Sequence, residues 1–144
     1  MSTDTSDDTS TSRADVATAR RVLEEIFPAA DEAALAEVVS PEFINHEAPA
    51  GTPPGPAGIT MFMRMLAAAF SDQKWTMEKV LVDGDTVALY CVHSGRHTGT
   101  FFGLPATGRE FAYKQMHMIR LQDGLGVEHW AVRDDAGLMR QLTA

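Results

Sequence analysis

The stretch from Glu110 to Arg140, EFAYKQMHMIRLQDGLGVEHWAVRDDAGLMR, constrains the fold more than any other part of the chain. Phe111, Tyr113, Gln115, His117, Ile119 and Leu121 alternate with Ala112, Lys114, Met116, Met118 and Arg120. A period of two sends each set to one face of a sheet. Asp123-Gly124 is a hairpin signal, after which the chain returns through Val127 to Asp134. The hairpin brings Gln115 and His117 close to His129, Trp130 and Asp134. A polar cluster held among aromatic and aliphatic side chains is what a small-molecule site requires.

Two registers of this hairpin are open. With a two-residue turn, His117 lies opposite Trp130 and Tyr113 opposite Asp134, so that His117, Gln115, Trp130 and Asp134 share a face. With a bulge at Gly126 the parity flips, and His129 joins His117 instead.

The rest of the chain supplies cover for that sheet. Val16, Ala19, Leu23, Ile26 and Phe27 fall at helical spacing from Asp15 onward, until Pro28 and Ala29-Ala30-Asp31 interrupt. Asp31 is the expected N-cap of a second short helix carrying Leu35, Val38 and Val39, which Ser40-Pro41 ends. PEFINHEAP reads as an extended piece, and GTPPGPAG is too rich in proline and glycine for regular structure. A third helix runs from about Gly58 to Phe70, with Ile59, Phe62, Met63, Leu66 and Phe70 in its apolar stripe. WTMEKVLV and TVALYCVHSGRHTG then form strands joined at Asp83-Gly84-Asp85, with Gly95 and Gly99 marking a bulge or bend. Three helices, a meander of four antiparallel strands and a short terminal helix make an α+β fold, with helices on one face of a curved sheet. Met61, Met63, Met65, Met116 and Met118 are placed to fill the core or back a cavity there, and core filling is the commoner role of methionine.

With 144 residues and a 44% hydrophobic fraction, this is one domain with enough apolar mass for a core. Residues 1–13 are nearly all Ser, Thr and Asp, and are expected to be a disordered acidic tail ahead of a single domain over 14–144. That tail has neither the basic start nor the apolar run of a secretory signal. A net charge of −8 argues against nucleic acid or an anionic membrane surface as partner. The lone Cys91 excludes an intramolecular disulfide and reads as a small buried hydrophobe. A cytoplasmic location is expected. His93 and His97 lie on a strand with no acidic partner at ligand spacing, which argues against a zinc site, and no glycine-rich loop opens a helix for a nucleotide.

Several motifs together resemble one family. They are Phe43-Ile44-Asn45-His46 before a Gly/Pro loop; Asp83-Gly84-Asp85-Thr86-Val87; Gly95-Arg96-His97-Thr98-Gly99; Phe102-Gly103-Leu104-Pro105-Ala106-Thr107-Gly108-Arg109; Asp123-Gly124 leading to Glu128-His129-Trp130; and Asp134, Gly137-Leu138 and Gln141-Leu142. In this order and spacing the chain resembles the SnoaL-like polyketide cyclases (ester cyclases) of the nuclear-transport-factor-2-like superfamily. The resemblance implies a cone in which helices pack on a curved, mostly antiparallel sheet. It also implies a homo-oligomer (dimer or tetramer) and a small hydrophobic or aromatic substrate. The activity it implies is cofactor-independent ring closure by intramolecular aldol condensation, with hydroxylase or isomerase chemistry as the variant within the family. The family site pairs an Asp acid/base with His, Gln and Asn. Gln115 and His117 match the Gln-x-His of the penultimate strand, and Asn45 matches the Asn. The carboxylate that follows the family's His-Trp is Ala131 here, which leaves Asp134 as the nearest substitute.

The candidate site is therefore Asp134 and His117 for acid/base work, with Gln115, Asn45, His129, Trp130, Tyr113 and Phe62 against the substrate and no metal. A carboxylate in an apolar pocket removes a proton between carbonyls once burial raises its pKa, and amide or imidazole donors stabilise the enolate. Each residue also has a structural explanation. Asp134 precedes Asp135-Ala136-Gly137 and fits a helix cap; His117 fits a satisfied core histidine; Asn45 and His46 fit an Asx turn; Tyr90 and Tyr113 fit the core. A non-catalytic binder of small hydrophobic molecules is the competing function, favoured by Ala131.

Overall fold

The computed structural model describes residues 5–144. Helix α1 (Thr5–Arg21) continues through a π-helical segment, Val22–Ile26, into the short α2 (Phe27–Ala29). Pro28 follows the π-helical turn, so the helical path continues past it and stops at Ala30, left-handed at φ 50°. Residues 1–4 of the expected disordered tail lie outside the described residues. The segment 5–13 is helical, so α1 begins earlier than the apolar periodicity does. Asp31 caps α3 (Glu32–Val38), its carboxylate accepting the Ala34 N–H at 3.1 Å.

The extended PEFIN segment belongs to strand β1 (Val39–Asn45), and α4 (Pro56–Ala69) follows the Gly/Pro loop. Strands β2 (Phe70–Asp83), β3 (Thr86–His97), β4 (Glu110–Gln122) and β5 (Leu125–Arg133) form the expected meander, and α5 (Asp135–Thr143) closes the chain. The sheet has five strands rather than four, in the order β1-β5-β4-β3-β2, because β1 adds to the free edge of β5 in parallel. Three helical stretches, the continuous α1–α2, then α3 and α4, precede the meander and lie against one face, as expected. The architecture is the NTF2-like cone, a curved and mostly antiparallel sheet covered by helices.

The curvature has a visible source. The β2–β3 register slips between Ser71 and Lys74 and again between Met77 and Lys79, so β2 carries extra residues and bends over β3. Gly95 is the small residue this bend requires, since a β-carbon there would stand 2.9 Å from the Ser71 carbonyl and 3.1 Å from the Phe111 ring. The concave face carries the alternating apolar set of β4 with Val87, Leu89 and Cys91 of β3, and Leu23, Ile26, Leu35, Met63 and Leu66 cover it from the helices. Met63 is core, whereas Met116 and Met118 stand on the opposite, outer face of the sheet, Met118 being 40% exposed; they do not back the cavity.

Asp134 ends β5 and starts α5. It lies in solvent and its carboxylate accepts the Gly137 N–H at 2.9 Å, which satisfies a helix-end donor that would otherwise be unpaired. Asp134→Ala is expected to lower stability by about 0.5–2 kcal/mol, read as a fall in urea midpoint at unchanged m-value; an unchanged midpoint would show that the cap contributes nothing.

Candidate active site

β4 supplies the spine of the site. Tyr113, Gln115 and His117 are buried on its concave side because they share parity with Phe111, Ile119 and Leu121. β5 pairs with it at Gln115↔Arg133, His117↔Ala131 and Ile119↔His129, after one extra residue in β5 between Gly126 and Glu128. This is the bulged register. His129 and Arg133 therefore face the cavity, and Trp130 faces away from it. Trp130 pairs with Met118 on the outer side and stacks on His46, with centroids 5.0 Å apart and planes 9° from parallel, and does not line the cavity. Nor does Asp134, the α5 cap.

The other candidates meet. A continuous hydrogen-bonded chain runs from Asn45 Oδ1 to His129 Nδ1 (2.8 Å), from His129 Nε2 to His117 Nδ1 (2.9 Å), and from His117 Nε2 to Gln115 Oε1 (2.7 Å). It continues from Gln115 Nε2 to the Tyr113 hydroxyl (3.0 Å), on to His93 Nδ1 (3.0 Å), and from His93 Nε2 to Gln73 Oε1 (2.9 Å). Trp75 donates its indole N–H to Gln115 Oε1 at 3.1 Å and stacks on His93 at 3.9 Å. Trp75 and Gln73 escaped the sequence reading, which weighed His93 only as a metal ligand. The signal for His93 was its parity with Val87, Leu89 and Cys91 on β3, which puts it on the buried face.

Obligate donors fix the protons of this chain. Trp75 N–H makes Gln115 Oε1 an acceptor, and the Glu47 backbone N–H, 3.0 Å from Asn45 Oδ1, does the same at the other end. Between two acceptors lie three links, Asn45–His129, His129–His117 and His117–Gln115, each of which needs one proton. Two neutral imidazoles hold two N–H groups, so one link is empty until the pair takes up a proton. Turning the Asn45 amide over would fill the link at that end and release the Glu47 N–H to solvent, so the Asn45 end is the adjustable one. With Asn45 as it stands, a third proton would complete the three links.

Two chambers meet at this chain. The inner one, about 90 Å³, lies beneath α1, α3 and α4 and is lined by Gln115, His117, His129 and Trp75 among apolar side chains. The outer one, about 510 Å³, opens between α4, the 47–52 loop, Phe101-Phe102 and α5. Asn45, Phe62, Leu66, Tyr113 and Arg133 line both, so they form the throat. The outer volume is that of a small-molecule site, and the inner one takes only a substituent or ring edge. Among the described residues no three His, Cys, Asp or Glu side chains gather as a metal site, and no helix is long and apolar enough to cross a membrane.

Burial governs the titration of the rings. It holds His93 down to about 3 and His129 down to about 4, with the Arg133 charge adding in the same direction, and it pushes His117 well below the ordinary 6.5. Burial likewise raises the Tyr113 hydroxyl to about 12, against the opposing hydrogen bond from Gln115, so Tyr113 stays protonated. In the unfolded chain each imidazole binds a proton near 6.5, and in the fold it does not. The unfolded state then holds more protons below pH 6.5, so this contribution to stability is full above that value and is lost as pH falls toward about 4. The His93 and His117 ring resonances are expected to stay in the neutral form down to about pH 5, with thermal stability declining over the same range; a midpoint near 6.5 for either ring would contradict the burial.

Known proteins resemble this chain in sequence and in fold. The chain is 33% identical over 112 residues to the nogalonic acid methyl ester cyclase of Streptomyces nogalater, covering 74% of this chain and 81% of that protein. It is 34% identical over 111 residues to the aklanonic acid methyl ester cyclase DnrD of Streptomyces peucetius, covering 75% and 77%. The crystal structure of IdmH from Streptomyces antibioticus superposes with a TM-score of 0.78 at 32% identity, over 90% of this chain and 99% of that one. The model of the SnoaL-like polyketide cyclase family matches residues 17–142, and with the cone, the Gln115-x-His117 strand and the two-chambered cavity in place, the chain belongs to that family.

Proposed function

We propose that this member of the polyketide cyclase family closes a ring by intramolecular aldol condensation on an aromatic polyketide-like substrate, with the His129–His117 pair as acid/base. The observation that carries this reading is the chain of three links served by two ring protons. At neutral pH both rings are uncharged and able to accept. A ring system in the outer chamber presents the carbon between two carbonyls at the throat, where the Asn45 link opens and His129 Nδ1 takes the proton. The extra positive charge is shared with His117, whose ring Gln115 holds in place. The enolate carbon attacks the second carbonyl, a carbon–carbon bond forms, and the imidazolium returns the proton to the new alkoxide. One proton leaves and one returns, with no change of oxidation state, so the balance calls for no cofactor.

Asp134 has no part in this scheme, because it caps α5 in solvent. Ala131, opposite His117 in the register, leaves the imidazoles without the family's carboxylate beside them. That absence favours a second reading, a non-catalytic container for small hydrophobic molecules.

Incubation with tricyclic methyl-ester anthraquinone precursors separates the two. Ring-closed product is expected from the wild type, and His117→Ala and His129→Ala are each expected to lower kcat by about 10²–10⁴-fold, while Asp134→Ala turns over like the wild type. Turnover that survives both histidine substitutions would exclude the pair, and ligand binding with no turnover on any precursor would leave the container.

We infer further that the chain forms a homo-oligomer, dimer or tetramer, through the outer face of the sheet, where Val132 is 71% exposed, Leu81 57% and Met118 40%. Light scattering is expected to give two or four times the 15.7 kDa chain mass, and Val132→Glu to reduce it. A wild-type mass of one chain would refute this.

A further inference from the structure

The throat holds a charge with no counter-ion. Arg133 ends β5 opposite Gln115, half-buried, its guanidinium 5.5 Å from the centroid of the Phe62 ring. Among the described residues it makes no ion pair and donates no side-chain hydrogen bond, as is also true of Arg21, Arg109 and Arg140, but unlike those three it lines both chambers, whereas Arg20, Arg64, Arg96 and Arg120 each reach a carboxylate. Its neighbours in sequence do not serve it: Asp134 is spent on the α5 cap, and Asp135 and Glu47 line the outer chamber without pairing to it. Among the described residues no carboxylate lines the inner chamber, and Arg133 is the only permanently charged side chain there. Five N–H donors in a rigid fork, removed partly from water and left unmatched, are costly unless an acceptor arrives.

We propose that Arg133 is the seat of an anionic oxygen group on the ligand, and that the preferred ligand class is a planar aromatic ring system carrying a phenolate or enolate, for which an aromatic carboxylate serves as a fully ionised stand-in. The ring lies along Phe62 in the outer chamber. The anionic oxygens meet the guanidinium fork at the throat, one strand pairing away from Gln115 and within reach of the histidine chain. The chain's overall charge of −8 gives such a ligand no long-range attraction, so the preference is local to this one side chain. The Arg133 charge also lowers the proton affinity of His93, His117 and His129, and an anion placed on it removes part of that field. This inference rests on the reading of the cavity as the place of an aromatic substrate, but does not require ring closure.

The test is calorimetric binding at about pH 7.5, where the probe is fully ionised, of 9,10-anthraquinone-2-carboxylate against its methyl ester. The wild type is expected to bind the carboxylate about tenfold or more tighter than the ester. Arg133→Met abolishes that preference, and Arg133→Lys, which keeps the charge and loses the fork, retains part of it. Circular dichroism and thermal melts establish that both variants fold. Equal binding of acid and ester by the wild type, a preference surviving in folded Arg133→Met, or binding of neither probe would overturn the proposal. A wild-type preference together with no turnover of any precursor would uphold the anion seat and sink the cyclase reading instead.

Discussion

Between Leu121, which faces Gly126, and Arg120, which faces Glu128, strand β5 carries one residue more than β4. Everything in the cavity follows from that extra residue. It turns His129, Ala131 and Arg133 toward the helices and Trp130 and Val132 toward the outside. A regular hairpin would put Trp130, Val132 and Asp134 inward instead, filling the throat with an indole and leaving His117 no second imidazole. Gly126, opposite Leu121, lines the inner chamber where β5 passes Phe43 and Val38. The parallel pairing with β1 then sets Asn45 beside His129, which completes the polar chain from an element remote in sequence.

That chain is expensive to bury and is arranged to limit the cost. Each imidazole nitrogen of His93, His117 and His129 has a partner, and Trp75 ties the two halves by occupying Gln115 Oε1 while stacking on His93. Pinning Gln115 in this way fixes which way the amide points, and so fixes the tautomer demanded of His117. The one unmet demand, a missing proton among three links, lies toward the half-exposed Asn45 end, where solvent or ligand reaches it. Aromatic packing therefore sets the direction of the hydrogen bonds, and those set where a proton is wanted.

Much of this was legible from residue patterns. The alternation through β4 located Tyr113, Gln115 and His117 on the buried face, the Asp-Gly turns placed the hairpins, Asp31 announced a helix start, and Phe62 fell on the buried stripe of α4. What stayed hidden depends on contacts that local patterns do not encode. Seven residues of β1 offer no clue that they pair in parallel with β5, since their partner lies some eighty residues away. The bulge was one of two registers equally compatible with the turn. Asp134 carries the same residue type that an acid/base site or a helix cap needs, and only its position one residue past β5, ahead of Gly137, makes it a cap. The helical start of α1 at Thr5 has no apolar periodicity to announce it.

The proposed chemistry turns on where the negative charge comes from. An imidazolium buried in this cavity has no carboxylate within the inner chamber to balance it, and Arg133 stands in the throat with the same sign. In a family site with Asp at residue 131, opposite His117, the protein itself would supply the opposite charge. With Ala131 the side chain ends at a methyl group, and two cationic demands, the arginine and the protonated pair, face an uncharged wall. An anionic ligand would answer both: its oxygens neutralise the guanidinium, and the weakened field raises the proton affinity of the histidine pair. By linkage the converse holds, so a protonated pair binds the anion more tightly than a neutral one. On this view the substrate completes the electrostatics of the site as well as filling it, and the histidine pair is a stronger base with the right guest in place.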